Sequence, residues 1–189
     1  EGLQLHLEGT ILSRPYIDMT IALMRQFGAV VEWVDDATIC VAPQPYRPLK
    51  EFRVESDWSA ASYWYQIVAL SAEAEVTLPG LFQDSSQGDS QVANIFRSLG
   101  VETIYQGKTV TLKKTNNLVK RLDYNFIDQP DLAQTLVVTC AMLGIPFRFS
   151  GLQSLKIKET DRMAALIKEM RKLGYVLHEA NGSILYWNG

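Results

Sequence analysis

The stretch DQPDLAQTLVVTCAMLGIPFRFSGL, residues 128–152, decides the fold class of this chain. It has a polar start with Pro and Asp, an apolar run of helix length, a Gly, and a strand-like run that ends at a second Gly. Residues 55–81, ESDWSAASYWYQIVALSAEAEVTLPGL, have the same layout, and Asp57 precedes Asp131 by 74 residues. A helix–strand segment that recurs at such a distance predicts a repeat architecture.

A second kind of segment alternates with the first. Each copy reads as a polar start, an apolar-faced helix, a Gly suited to a left-handed cap, and a two-strand hairpin. The copies are residues 13–33, 88–105 and 159–179, with glycines at Gly28, Gly100 and Gly174. In order along the chain, one unit is strand, helix, strand, helix, strand, strand. The sequence therefore predicts an α/β fold of repeated βαβαββ units.

A proline-rich stretch separates the first half unit from the rest. PQPYRPLK, residues 43–50, resists both helix and central strand and predicts an inter-domain crossing. We predict one domain portion over residues 1–50 and two repeat units of a second domain over residues 51–189. Since the chain starts at Glu1 without Met and stops after an apolar run, we expect it to be an excerpt from a longer protein.

The composition excludes several classes of function. A net charge of -3, from 18 basic and 21 acidic residues, provides no positive field for nucleic acid or acidic membranes. No apolar run is long enough to span a bilayer. Cys40 and Cys140 are far apart and lack metal-type spacing, which favours a reducing, cytoplasmic location. We expect no metal site.

The segment KIKETDR, residues 156–162, is the strongest candidate for chemistry. A helix N-terminus offers free N–H groups, and Lys158 and Arg162 add full positive charge, so a phosphate or carboxylate could bind there. Glu159 would lie beside such anions, a setting suited to proton transfer. The simpler interpretation is a solvated helix start capped by Thr160 or Asp161.

Asp131 follows Pro130 at the start of the next-to-last predicted helix. From the residues alone, an N-cap or first-turn carboxylate explains it, as for its repeat counterpart Asp57. The same interpretation covers Ser13 and Asp89. The SSQGD segment, residues 85–89, is too short for a phosphate loop and lacks its lysine, so we assign it a structural role.

Five segments, taken together and in this order, resemble the EPSP synthase family over essentially all 189 residues: SRPYID (13–18), DWSAASY (57–63), SSQGD (85–89), QPD (129–131) and KETDR (158–162). The resemblance implies the enolpyruvyl transferase fold, an inside-out α/β barrel, of which about two and a half of six units are present here. It also implies transfer of the enolpyruvyl group of phosphoenolpyruvate to the 5-hydroxyl of shikimate 3-phosphate, in chorismate and aromatic amino-acid biosynthesis. The family is the target of glyphosate.

The resemblance also implies roles for individual residues. Asp131 would accept the proton of the 5-hydroxyl, Glu159 with Lys158 would serve proton transfer at the methylene carbon, and Arg162 would hold the phosphoenolpyruvate carboxylate. The remaining substrate contacts are implied for Ser13, Tyr16 and Lys158, with Ser13 near the phosphate of shikimate 3-phosphate. Ser154 stands where some members have Asn, so its contact to a substrate hydroxyl is expected to be weaker or absent. No metal or organic cofactor is implied.

Several of the family's motifs fall outside these 189 residues: the early lysine, serine and arginine motifs, the SSQ-type phosphate-binding loop, and the late arginine and lysine. We therefore expect the chain alone to have no measurable turnover. We expect the longer enzyme to be a monomer and the fragment to expose apolar patches and to be prone to self-association. The alternatives are a UDP-N-acetylglucosamine enolpyruvyl transferase, which shares the fold but not KETDR, and a non-catalytic repeat module that binds an anion.

Overall fold

The computed structural model describes residues 1–189 as ten strands and five helices. The first part of the chain contains a strand, an amphipathic helix and a hairpin. These elements are β1 (Leu3–His6), α1 (Arg14–Gln26), β2 (Val31–Trp33) and β3 (Thr38–Val41). The three strands pair antiparallel in the order β1-β3-β2.

The rest of the chain repeats the helix–strand–helix–hairpin order twice. The first set is α2 (Trp58–Leu70), β4 (Glu75–Pro79), α3 (Val92–Arg97), β5 (Leu99–Gln106) and β6 (Thr109–Leu118). The second set is β7 (Leu122–Asn125), α4 (Ala133–Met142), β8 (Phe147–Ser150), α5 (Arg162–Lys172), β9 (His178–Ala180) and β10 (Ile184–Trp187). Short 3₁₀ turns precede α3, α4 and α5, at Gly88–Gln91, Pro130–Leu132 and Gln153–Ile157.

The last unit has the complete predicted order βαβαββ. Its sheet runs β7-β8-β10-β9, and β7 and β8 are parallel while the other neighbours are antiparallel. Helix α4 connects the parallel pair, as a βαβ crossover requires. The predicted α/β class and repeat unit are confirmed.

The middle unit lacks its leading strand, and here the prediction of two complete units is wrong. Its sheet has only three strands, β4-β6-β5, and the residues before α2 form no strand. One bond of the expected pairing exists, from the Ser56 N–H to the Gly80 carbonyl at 2.8 Å. Upstream, the Arg47 N–H donates to the Phe27 carbonyl at 2.7 Å, and Phe52 packs on the Phe27 ring. The chain is therefore held against the end of α1 and not alongside β4.

Two of the three predicted cap glycines end helices. Gly28 and Gly174 follow α1 and α5 with φ of +83° and +91°. A residue with a side chain would be strained in this left-handed backbone conformation. Gly100 also has positive φ, but it lies within β5, where the register with β6 shifts between Leu99 and Val101. Helix α3 ends at Arg97, earlier than predicted, so Gly100 lies in a β-bulge and does not cap the helix.

The buried side chains form two separate cores. Thirty buried residues, all between Trp58 and Leu185, pack the helices α2 to α5 onto the second and third sheets. A small core of Ile21, Val31 and Ile39 lies under α1. No helix is long and apolar enough to cross a membrane.

Candidate active site

Four charged side chains meet where the turn before α4 packs against the turn before α5. The Asp131 carboxylate lies 3.2 Å from Lys158 Nζ and accepts a hydrogen bond from Arg162 Nη1 at 2.9 Å. The other edge of the Arg162 guanidinium donates to Glu159, from Nε to Oε1 at 2.9 Å and from Nη2 to Oε2 at 3.0 Å. Arg162 thus bridges the two carboxylates.

Local sequence explains how these side chains are presented. Pro130 favours the tight 3₁₀ turn that carries Asp131, since it needs no backbone N–H there. Asp161 is the N-cap of α5 and accepts from the Ala164 N–H at 2.9 Å. Of the two proposed caps, Asp161 is therefore the cap and Thr160 is not. Because Asp161 meets this need, Lys158, Glu159 and Arg162 are available for other contacts.

Asp131 and its repeat counterpart Asp57 do different work. Asp57 accepts hydrogen bonds from the Ser59 and Ala60 N–H groups and caps α2, as predicted. Asp131 makes no cap bond, and its side chain turns to Lys158 and Arg162. Of the two explanations predicted for Asp131, the N-cap is wrong and the first-turn carboxylate is confirmed, and this carboxylate is one member of a charged cluster.

Glu159 is the most exposed member of the cluster, with 66% of its side chain accessible. The pKa of its carboxyl lies below the usual value, because a backbone N–H and the Arg162 side chain donate to the charged form. In this state Glu159 is a carboxylate and not a proton donor. Its exposure leaves it free to move if Arg162 takes another partner.

Ser13 occupies the N-cap position of α1 but does not cap. Its backbone is left-handed, with φ of 54° and ψ of 39°, and its side chain makes no bond to the helix. The Ser13 N–H donates to the Ile127 carbonyl at 2.9 Å, which brings it close to the turn that carries Asp131. The cap prediction is wrong, and the left-handed backbone of Ser13 departs from the extended conformation that N-cap residues typically adopt.

Tyr16, in the first turn of α1, donates its hydroxyl to Asp89 Oδ2 at 3.3 Å. Burial raises the pKa of this phenol, and the negative charges of Asp89 and Asp131 raise it further. The Tyr16 hydroxyl therefore lies close enough to Asp89 and Asp131 for both carboxylates to affect its pKa. Ser154 lies half-buried in the turn Gln153–Ile157, which packs against the turn of Asp131, and its hydroxyl has no hydrogen-bond partner.

Asp89 is the residue that sequence reasoning missed. It is 1% exposed and is the only acidic residue among the buried ones. It makes no cap bond; Oδ2 instead accepts from Tyr16 and Ser59, and Oδ1 has no partner. An Asp in a first helical turn is so common that no local signal distinguishes this one.

The cluster can bind anions and can accept a proton. Lys158 and Arg162 supply fixed positive charge, the Arg fork matches a carboxylate or phosphate, and Asp131 offers an acceptor between them. No group of three His, Cys, Asp or Glu side chains is arranged to hold a metal ion.

Comparison with known proteins gives one consistent result. The family model described as EPSP synthase (3-phosphoshikimate 1-carboxyvinyltransferase) matches residues 1–186. A Bacteroides fragilis protein named 3-phosphoshikimate 1-carboxyvinyltransferase is 61% identical over all of this chain, which covers 46% of that relative. A protein of the same name from Methanothermobacter thermautotrophicus is 34% identical, again over the whole chain and 44% of its own length.

Solved structures agree on the fold. An EPSP synthase from Acinetobacter baumannii superposes with a TM-score of 0.71 at 16% identity, over 99% of this chain and 43% of its own. The enolpyruvyl transferase NikO from Streptomyces tendae superposes with a TM-score of 0.67 at 12% identity, over 99% and 42%. The chain spans less than half the length of the curated relatives that it matches, and it belongs to the EPSP synthase family.

Proposed function

We propose that these residues form part of an enzyme that transfers the enolpyruvyl group of phosphoenolpyruvate to the 5-hydroxyl of shikimate 3-phosphate, releasing phosphate. The observation that carries the proposal is the Asp131–Lys158–Arg162–Glu159 cluster, in which a proton acceptor lies between two cations. Both substrates are polyanions, and cations fixed before reaction also stabilise negative charge that develops on the leaving phosphate.

Each member of the cluster has a proposed role. Asp131 accepts the proton of the 5-hydroxyl as that oxygen attacks C2 of phosphoenolpyruvate. Glu159, with Lys158, delivers a proton to the methylene carbon to give the tetrahedral intermediate. A proton is then removed from the resulting methyl group as phosphate leaves, which restores the carbon–carbon double bond of the enolpyruvyl group. Arg162 holds the phosphoenolpyruvate carboxylate.

Binding of phosphoenolpyruvate would exchange the partners of Arg162. In the present structure Asp131 and Glu159 occupy both edges of the guanidinium. A substrate carboxylate that takes one edge releases Glu159, whose pKa then rises towards its ordinary value because a positive partner is lost. Substrate binding would thereby free the Glu159 side chain to move and make its protonation less unfavourable than it is beside Arg162.

Shikimate 3-phosphate is proposed to bind at Ser13, Tyr16 and Lys158. Ser13 is supported by its unused hydroxyl, and Tyr16 by its position beside Asp89 and Asp131. Ser154 is proposed as a weak contact. We also infer that residues 1–50 and 51–189 belong to different domains, a division that the two separate cores support. Two free cysteines support a cytoplasmic location.

The test uses this chain completed with the flanking parts of the Bacteroides fragilis relative, measured by phosphate release with both substrates. Asp131→Asn and Glu159→Gln are each expected to lower kcat by about 10²- to 10⁴-fold, the usual effect of losing a general acid or base. Asp123→Asn and Glu169→Gln are the matched controls, because both acids form exposed ion pairs away from the cluster.

One outcome of this test would contradict the proposed roles. If both cluster variants keep full activity, the cluster binds anions without proton transfer and the proposed roles of Asp131 and Glu159 fail. A UDP-N-acetylglucosamine enolpyruvyl transferase is not favoured, because the relatives that match across the whole chain are named 3-phosphoshikimate 1-carboxyvinyltransferase. The 189 residues alone are expected to release no phosphate.

A further inference from the structure

Asp89 connects three parts of the chain. It lies in the turn Gly88–Gln91 that leads into α3, and its Oδ2 accepts hydrogen bonds from Ser59 in the first turn of α2 and from Tyr16 in the first turn of α1. A carboxylate that is 99% buried is costly unless it is hydrogen-bonded, and the only hydrogen bonds of Asp89 are the two that Oδ2 accepts from Tyr16 and Ser59. These partners include residues from both sides of the proline-rich crossing.

The contact at Asp89 is one of few links across that crossing. Tyr16–Asp89 is the one side-chain hydrogen bond between residues 1–50 and 51–189, and Ser13 N–H to Ile127 carbonyl is the one backbone bond. Gly88 permits the approach, since a Cβ there would lie 2.7 Å from Pro15 Cβ. The start of α1 is thus held by Asp89, Gly88 and Ile127 together.

The hydrogen bond also determines what Tyr16 can recognise. A phenol has one proton to donate and lone pairs to accept. With the proton of Tyr16 directed to Asp89, its oxygen can only accept from a ligand. Such an oxygen can accept a hydrogen bond from a substrate hydroxyl group like those of a sugar. It repels the oxygens of a phosphate group.

We propose that Asp89 is a positioning residue, whose carboxylate holds the Tyr16 hydroxyl as an acceptor for a substrate hydroxyl and keeps the left-handed turn at Ser13 against the rest of the site. This inference rests on the proposed function, in which Ser13 and Tyr16 bind shikimate 3-phosphate. Asp89 touches no substrate and acts through Tyr16.

The test measures the dissociation constant of shikimate 3-phosphate, without phosphoenolpyruvate, in the completed chain by calorimetry. Tyr16→Phe and Asp89→Ala are each expected to weaken binding by about tenfold, the size of one lost hydrogen bond. Because both remove the same interaction, the double variant is expected to be no weaker than the weaker single variant. Asp89→Asn, which keeps an acceptor oxygen, is expected to restore most of the affinity.

Asp84→Ala is the control, because Asp84 is an exposed acid in the same loop. The inference is overturned if Asp89→Ala leaves the dissociation constant unchanged and lowers only the melting temperature. It is also overturned if the two single losses multiply to about a hundredfold in the double variant. Failure of the proposed function is a different result: the completed parent chain would then not bind shikimate 3-phosphate, or Asp131→Asn would keep its activity.

Discussion

At the scale of single residues, Asp57, Asp89 and Asp131 show that residues at similar positions near helix starts can have different partners. All three begin helical turns, yet Asp57 caps a helix, Asp131 binds Lys158 and Arg162, and Asp89 is buried between three helices. The repeat provides equivalent helix entrances. The neighbours across the fold decide what each carboxylate does.

Asp89 gives a prediction about pH. Burial raises its pKa, the charges of Asp131 and Asp57 add to this, and hydrogen bonds from Ser59 and Tyr16 act against it. The folded chain then takes up a proton at higher pH than the unfolded chain does. The contribution of this group to stability therefore increases as pH falls through the folded pKa, and becomes constant below the unfolded value of about 3.9.

The comparison with Asp89→Asn isolates this contribution, because Asn does not titrate. The unfolding free energy of the parent minus that of the variant is expected to increase as pH is lowered from about 7 to about 4. Urea unfolding at several pH values measures it, with Asp84→Asn as the exposed control. A difference that stays flat or decreases over this range would contradict the assignment.

Sequence patterns singled out Lys158, Glu159 and Arg162 because clustered charges at a helix start are visible locally, whereas Asp131 was implicated only by the family resemblance. They could not show that Ser13 adopts a left-handed turn or that Asp89 accepts from Tyr16. Those features depend on α1 packing against the start of α3, across more than 70 residues of chain. No local periodicity contains that information.

At the scale of elements, the starts of the helices carry the charged cluster and the Asp57 cap. The Asp57 cap of α2 predicts a matched pair of stability changes. Asp57→Ala removes two hydrogen bonds to helix N–H groups and is expected to cost about 1 kcal/mol, whereas Asp57→Asn is expected to cost close to zero because Asn caps equally well.

The midpoint of urea unfolding measures both variants. Equal destabilisation by Ala and Asn would mean that the charge of Asp57, and not its cap bond, matters. Asp131→Asn provides a contrast, since its carboxylate makes no cap bond and partly exposed ion pairs contribute about 0–1 kcal/mol.

The βαβαββ order was predictable because apolar periodicity, helix-ending glycines and turn residues agree along most of the chain. The absence of the leading strand of the middle unit was not predictable in this way. Residues 51–54 are compatible with a strand, but Val54 is 80% exposed, because the chain before it is tied to the end of α1. A strand forms only where a partner lies within reach.

At the scale of the whole molecule, the large core decides which thiol reacts. Cys140 lies fully buried in α4, and burial raises its pKa to about 12, which suppresses the reactive thiolate. Cys40 is partly exposed. A thiol reagent at pH 8 is therefore expected to modify Cys40 first and Cys140 only when the core unfolds.

Mass spectrometry during a urea titration measures the rates at which Cys40 and Cys140 are modified. The variant Cys40→Ser leaves Cys140 as the only thiol, so that its slower modification is measured alone. Modification of Cys140 should follow the global unfolding curve. Rapid modification in native conditions would show that α4 opens locally and that the core is less cooperative than its packing indicates.

The three-stranded sheet β4-β6-β5 leaves the outer edge of β4 without a partner along most of its length. In the last unit, the bond from Phe126 N–H to the Ser150 carbonyl follows directly on the parallel pairing of β7 with β8, and Ser56 N–H to Gly80 carbonyl is the matching bond here. Residues 51–54 are thus the segment that the repeat would place beside β4, but only its end at Ser56 is attached there. The unpaired backbone groups along the outer edge of β4 remain available to pair with a strand of another molecule.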